Sequence, residues 1–374
     1  QGLRRMRLVA QRDSFYKQVA GPCAHLERAA RRTLGGLRES LAASATTASV
    51  VEVCWLNNTV RSRVPPRMLG EVASDPKLDR IDVPRRLVRE LDVSGVTVGA
   101  PAFRQRFSRA GAGVVVAVID SEVAADPPAF GGRVIPVRDF TVEGFGRPDS
   151  HGTAVAGIIG SSDASVTGIA PGVTIRNYKV LATDPANDAD DFGGALAIQT
   201  ALEDGAQVAN CSWGAGPVKR EKSREARACD RAWENGMTIV KSVGNAGPGA
   251  RTATTPADAD GIIVVGATDR RGRRVQSYSS RGPVAGKSRP HLVAPGGTRG
   301  DGIRSCLAGG GFGTDAGTSF AAPHVTGLVA LLLEHNPDAS PDEIRTLLLS
   351  RCKKFTPNQV NTHGAGLVSL ANLR

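Results

Sequence analysis

The chain has 374 residues, 41% of them hydrophobic and 22% charged, and a formal net charge of +11. That length exceeds what one core usually needs and predicts two domains, with a composition that excludes disordered and fibrous classes. No apolar run is long enough to cross a bilayer, Gln1-Gly2-Leu3-Arg4-Arg5 has no signal-peptide core, and the scattered arginines accompany no nucleic-acid motif, so the charge reads as solvated surface.

The first hundred residues have their own organisation. From about Ser14 to Ala43 the pattern is helical and basic, and Val50 to Leu56 reads as a strand. A turn at Asn57-Asn58, a strand to Val64, a short helix opened by Pro65-Pro66 and running through Ala73, and a strand from Leu78 to Val83 follow. Residues 84 to 107, including Gly95 to Pro101, are expected to be a linker.

Beyond it, Val114 to Ile119 is a continuous apolar run ending in Asp120-Ser121. This places a carboxylate at the carboxyl end of a buried strand, the edge of an open parallel sheet where catalytic groups gather. Gly111-Ala112-Gly113 has the glycines of a dinucleotide fingerprint in the wrong order, before the strand and not after it. Glu122 either raises the pKa of a nearby base or faces solvent, and solvent is the preferred reading. Asp149-Ser150-His151-Gly152 then opens a helix of small and aliphatic residues that must be buried, so His151 sits at a packed, water-poor edge.

A strand at Lys179-Val180-Leu181 leads into the acidic loop from Asp184 to Phe192, which carries Asp188, Asp190 and Asp191. Val208 to Gly214 is an apolar strand with Cys211 read as buried and Ser212-Trp213-Gly214 at its end. Ile239 to Gly247 holds Asn245, and Ala253-Thr254-Thr255-Pro256 follows. Near the end comes Gly317-Thr318-Ser319-Phe320-Ala321-Ala322-Pro323-His324-Val325. Small residues at 316 to 318 allow a tight turn, and a helix from about 319 to 334 aims its unpaired N–H groups and positive dipole end at Ser319. A nucleophilic serine needs a base and a carboxylate to orient that base, and His151 and Asp120 are the places that fit. His324 reads as a helix-packing residue. The six cysteines show no metal spacing, and any disulfides among those other than Cys211 stay unassigned.

The order Asp120, His151, Ser319, together with the Asn245 segment, Tyr278-Ser279-Ser280-Arg281-Gly282-Pro283 and Leu292-Val293-Ala294-Pro295-Gly296, resembles the subtilisin-like serine proteases, the subtilases. Two positions depart from the family pattern: Glu122, where glycine is usual, and Ala154, where many relatives carry a second histidine. The resemblance implies an α/β, three-layer fold with a mainly parallel sheet over 108–374. It implies an Asp120-His151-Ser319 triad with Asn245 donating to the oxyanion, hence a serine endopeptidase without a cofactor. A substrate peptide would add as a strand against Ser212, Trp213 and Gly214, with Trp213 narrowing a pocket upstream of the cut. Thr254 would lie in the floor of a neutral primary pocket. Asp188, Asp190 and Asp191 would form the opposite wall and favour basic side chains, or else be a solvated loop.

By the same resemblance residues 1–83 look like a small α/β propeptide, an intramolecular inhibitor and chaperone that makes the chain a zymogen; a generic docking domain is the rival. The calcium loop of many relatives is shortened here to Gly160–Ser165 with one carboxylate, so that site is expected to be missing. Export is favoured if a signal peptide has been removed, with a cytoplasmic setting as the alternative. The alternatives in function are a precursor-specific processing protease and a catalytically silent binding protein on the same fold.

Overall fold

The computed structural model describes residues 49–54, 59–63, 74, 90–214, 216, 218 and 222–373. The chain divides into two units, Gln1–Arg86 and Leu87–Arg374. In the first, β1 (Ser49–Cys54) and β2 (Thr59–Arg63) form an antiparallel hairpin with Val53 opposite Val60. Both strands were expected. The turn at Asn57-Asn58, the helices at 14–43 and 65–73 and the strand at 78–83 lie outside the described residues.

The second unit begins with α1 (Glu90–Thr97) and α2 (Ala100–Phe107), so the expected linker of 84–107 is corrected from residue 90 onward. The glycine and proline that signalled a linker are the break between two helices: Gly99 has a φ of 78° and precedes α2, and Pro101 lies in its first turn, where a missing N–H costs no helical bond. Phe103 is buried, its ring 4.7 Å from that of Phe107 and 6.0 Å from His335. Arg104 donates to the carbonyls of Gly168 and Ile169, tying α2 to the rest of the unit.

The main sheet is built from β3 (Val115–Ser121), β4 (Val134–Asp139), β5 (Thr174–Leu181), β6 (Val208–Cys211), β7 (Thr238–Ser242), β8 (Ile263–Thr268), β9 (Leu292–Pro295), β12 (Cys352–Lys353) and β13 (Leu367–Val368). Its order is β12-β13-β9-β8-β7-β6-β3-β5-β4, parallel throughout except for the antiparallel edge pair β12 and β13. A separate hairpin joins β10 (Ile303–Cys306) to β11 (Phe312–Asp315).

Helices cover both faces, because successive side chains of a strand point to opposite sides. Val116 and Val118 enter a core with α3 (Ser150–Gly160) and α6 (Thr318–His335), while Ala117 and Ile119 enter another with α4 (Asp191–Glu203) and α5 (Arg224–Glu234). Two further helices, α7 (Pro341–Ser350) and α8 (Val360–His363), complete the C-terminal part. This is the expected three-layer α/β architecture. The strand order reverses around β3, which lies between β5 and β6, and the crevice at the carboxyl ends there is where an open sheet presents its site.

If α2 belongs to this unit, emptying its anchor must destabilise the whole. Phe103→Ala is expected to lower unfolding free energy by about 3–5 kcal/mol, read from urea denaturation followed by tryptophan fluorescence. A loss below about 1 kcal/mol would mark the helix as a peripheral attachment.

Candidate active site

β3 delivers Asp120, wholly buried, to its carboxyl end. The facing helix α3 starts at an Asp149 cap whose carboxylate accepts from the His151 N–H at 2.7 Å. Ser121 links the two segments, donating its hydroxyl to Asp149 Oδ1 at 3.1 Å and accepting from the Gly152 N–H at 2.9 Å. A Cβ on residue 152 would stand 2.5 Å from the Ser121 carbonyl oxygen, so the residue after the histidine has to be glycine. Asn177 buttresses the same bend by accepting from the Val123 N–H and donating to the carbonyls of Val118 and Ser121.

This framework sets His151 Nδ1 2.7 Å from Asp120 Oδ1. The carboxylate accepts, so Nδ1 carries the proton and Nε2 is left as the base. Asp120 Oδ1 also accepts from the Ser121 N–H at 2.8 Å, whereas Oδ2 is buried without a hydrogen-bond partner among the described residues. The Asp120 charge raises the His151 pKa to about 9 against the opposing effect of burial, with the Asp120 hydrogen bond, Asp149 and Asp315 adding to the rise.

Glu122 does neither of the two things expected of it. It is buried, its carboxylate accepts from the N–H groups of Gly146 and Arg147, and it lies 3.3 Å from Lys179 Nζ. Lys179 also pairs with Glu143 at 2.9 Å; burial alone would lower its pKa, but the bonds to the two carboxylates raise it. The strand pairing explains this: Asp120 faces Lys179 across β3 and β5, so a carboxylate just past β3 meets an ammonium that no sequence spacing connects to it.

Ser319 stands in the first turn of α6, where the leading N–H groups have no intrahelical acceptors. Four residues on, Pro323 lacks the N–H that would bond the Ser319 carbonyl, and Ser212 Oγ donates to that carbonyl at 2.9 Å in its place. Ser212 Oγ itself accepts from Asn210 Nδ2 at 2.9 Å, and Asn210 Oδ1 accepts from Thr326 at 2.8 Å. In return the Ser319 hydroxyl donates to the Ser212 carbonyl at 3.1 Å. The His151 imidazole packs edge-on against Phe320, the residue after Ser319, at 5.9 Å.

Asn245 is exposed at the mouth of the site. Its Oδ1 accepts from both the N–H and the hydroxyl of Thr318, each at 2.9 Å, which leaves the Nδ2 amide free to donate outward. Thr318 also accepts from the Gly244 N–H at 3.3 Å. The geometry thus assembles an oriented base, a helix-end serine and a fixed amide donor. Proton transfer to His151 and stabilisation of an oxyanion are the chemistry it supports.

The remaining residues singled out from the sequence divide into two groups. Ser212, Gly214 and Thr254 adjoin Ser319 and Asn245: a Cβ on Gly214 would stand 2.3 Å from Thr254 Oγ1, and one on Gly244 would stand 3.2 Å from it. Trp213 is partly buried and lies on α4, its ring 2.8 Å from where a Cβ on Gly194 would be. Asp188, Asp190 and Asp191 have local structural work. Asp188 accepts from the Ala182 N–H, Asp190 caps α4 through the Gly193 N–H, and Asp191 pairs with Arg224 at 3.0 Å.

His324 is buried, donates from Nδ1 to the Phe320 carbonyl and has its pKa lowered by burial to about 4, as a helix-packing residue should. Cys211, Cys229, Cys306 and Cys352 are free thiols. Asp163, the carboxylate of the short loop, is bonded to Ser165, and among the described residues no cluster of His, Cys, Asp or Glu is arranged to hold a metal ion. No helix among the described residues is long and apolar enough to cross a membrane. Sequence reading gave no role to Asn210, Asn177 or the orienting hydroxyl of Thr318; a signal was present for Asn210, a polar residue inside an apolar strand.

Comparison with known proteins agrees with this arrangement. The profile of the Subtilase family matches residues 111–366. Serine protease AprX of Bacillus subtilis (strain 168) is 32% identical over 293 residues, which cover 70% of this chain and 66% of that protein. Subtilisin BL of Lederbergia lenta is 32% identical over 277 residues, covering 73% of this chain and 94% of that one. Among solved structures, a cold adapted subtilisin-like serine proteinase aligns with a TM-score of 0.59 at 30% identity, over 70% of this chain and 90% of that one.

A raised histidine pKa has a definite sign. The His151–Asp120 pair stabilises the fold fully below the ordinary value of 6.5 and loses that contribution as pH rises through about 9. Titration followed by NMR is expected to place the His151 imidazole near 9 in Ser319→Ala protein and to drop toward 6.5 when Asp120→Asn is added. An unchanged midpoint would mean that Asp120 is not the charge responsible.

Proposed function

Because the chain belongs to the subtilase family, we propose that it is a serine endopeptidase whose reaction is carried by the Asp120–His151 bond of 2.7 Å beside a serine at a helix N-terminus. His151 Nε2 takes the Ser319 proton as Oγ bonds to the peptide carbonyl carbon. The carbonyl oxygen becomes an oxyanion held by Asn245 Nδ2 and the Ser319 N–H. Asp120 stabilises the imidazolium, which then gives its proton to the leaving amine as the C–N bond breaks. Water, deprotonated by the same imidazole, releases the acyl group and restores Ser319. No step calls on a metal or an organic cofactor. Since neutral His151 is the base, kcat/KM is expected to rise with pH toward about 9.

The intact Asp120, His151, Asn245 and Ser319 weigh against a catalytically silent binding protein. A fluorophosphonate probe is expected to label the wild-type chain and not Ser319→Ala. Asn245→Ala is expected to lower kcat by about 10²–10³-fold, the range known for one oxyanion donor of a subtilisin. Thr318→Val, which withdraws one of the two groups orienting that amide, should lower kcat less and leave KM nearly unchanged. Absence of labelling in folded wild-type protein would overturn the proposal. The same reading has Asp188, Asp190 and Asp191, each of which also holds a local contact, favour basic residues upstream of the cut, with a solvated acidic loop as the alternative.

The same reading makes residues 1–83 a propeptide and the chain a zymogen, as is consistent with the division of the chain after Arg86, and an exported enzyme is the favoured setting. Incubated intact and followed by mass spectrometry, the wild type is expected to release an N-terminal fragment ending before or near Arg86 and to gain hydrolytic activity. Ser319→Ala should stay whole. A wild-type chain that is fully active while uncleaved would show that the N-terminal part does not inhibit.

A further inference from the structure

We propose that a cavity at the amino ends of β8 and β9 binds a small carboxylate carrying a short apolar group, at a site separate from Ser319. The cavity has a volume of about 320 Å³, at the low end of small-molecule pockets. It is lined by His291, the residue before β9, whose N–H donates to the Val264 carbonyl near the start of β8 at 2.8 Å. The strands from β3 to β9 across the sheet are parallel, and Asp120 stands at the carboxyl end of β3. The cavity and the candidate active site therefore lie at opposite edges of the sheet, and the inference stands apart from the peptidase reading.

Pro290, Leu349 and Val360 supply its apolar wall. Pro290 is buried and Leu349, in the last turn of α7, is half-buried, whereas Val360 at the start of α8 is 46% exposed. Covering that aliphatic surface removes it from water and favours a ligand with an apolar part. The volume suits one short chain or one side chain.

The polar lining has donors and a cation, and among the described residues no Asp or Glu lines it. His291 has a fixed tautomer: the Val264 N–H donates to Nδ1 at 2.9 Å, so the neutral ring carries its proton on Nε2. Burial and the positive charges of Arg289, Arg345 and Lys287 lower its pKa to about 3, which keeps the ring neutral at physiological pH. Ser288 and Asn358 are exposed and bring a hydroxyl and an amide. Lys287 and Arg345 are paired with Asp260 and Asp342, but the exposed ammonium of Lys354 pairs with no described carboxylate. A carboxylate accepts from such N–H and O–H groups and pairs with Lys354 while its apolar part covers the wall. An ammonium is repelled by the same charges, and an alcohol gains chiefly from the wall.

The test titrates the full chain carrying Ser319→Ala, which cannot digest itself by the proposed reaction, with hexanoate, hexanol and hexylamine at pH 7, followed by NMR. Hexanoate is expected to shift the His291 Nε2 nitrogen and the Val360 methyl resonances to saturation. It should bind about tenfold more tightly than hexanol, the difference between a charge-assisted and a neutral hydrogen bond, with hexylamine weakest. Lys354→Met, a change at an exposed position, should weaken hexanoate about fivefold and leave hexanol unchanged. N-acetyl-leucine in the same titration distinguishes the source of the carboxylate: tighter binding than hexanoate identifies the end of a peptide chain, weaker binding a free aliphatic acid. Resonances of His291 and Val360 that hexanoate leaves unmoved, equal affinity for hexanoate and hexanol, or hexanoate affinity undiminished in Lys354→Met overturns the assignment.

Discussion

The Ser319 carbonyl has no partner within its own helix, because Pro323 lacks the N–H that would reach it, and the Ser212 hydroxyl fills the place. A buried carbonyl left unpaired would cost about 1–3 kcal/mol, so the helix start and the end of β6 are held to one relative position. Asn210 and Thr326 extend the bond into the core, where each donor has an acceptor. Ser319, the segment at Ser212 and the sheet are thereby a single rigid piece. Asn245 joins it through Thr318, the residue before Ser319, so that in the proposed reaction the Asn245 amide and the Ser319 N–H are aligned by neighbouring backbone atoms.

Burial of charge is handled in three different ways around this piece. Asp120 keeps its charge beside an imidazole and leaves one oxygen unbonded, an arrangement that raises the basicity of His151 and favours the imidazolium formed during proton transfer. Lys179 is saturated by two carboxylates and closes the loop after β3 without acting on the triad. Lys241 is surrounded by neutral oxygens, and burial lowers its pKa to about 8. The same residue type is thus held in two ways, by carboxylates in one case and by neutral oxygens in the other. What separates them is whether a carboxylate on the adjoining strand or loop lies within reach.

Much of the fold was legible because its signals are local. The run from Val114 to Ile119 is apolar at every position, as a strand covered on both faces must be, and the helices after Asp149 and Gly317 announce their burial by an almost unbroken series of small and aliphatic residues. Asp120, His151, Asn245 and Ser319 were legible for a related reason: each sits at an element end, where the residue types that turn, cap or bend the chain frame it. The stretch 84–107 was misread because glycine and proline mark a break between helices as readily as a linker, and only the burial of Phe103 against Phe107 and His335 distinguishes the two.

The sequence by itself determined the order of elements, the alternation that buries both faces of the sheet and the identity of the groups able to act as nucleophile, base and amide donor. The tertiary structure alone decided which distant residues share a space. Glu122 meets Lys179 through the pairing of β3 with β5, Ser212 meets the carbonyl freed by Pro323, and Lys241 meets Thr254, whose side chain fills the space beside Gly214 and Gly244. None of these contacts has a fixed spacing along the chain. Whether a buried charge is neutralised depends on atoms within a few ångströms, and their positions are set by strand order and packing.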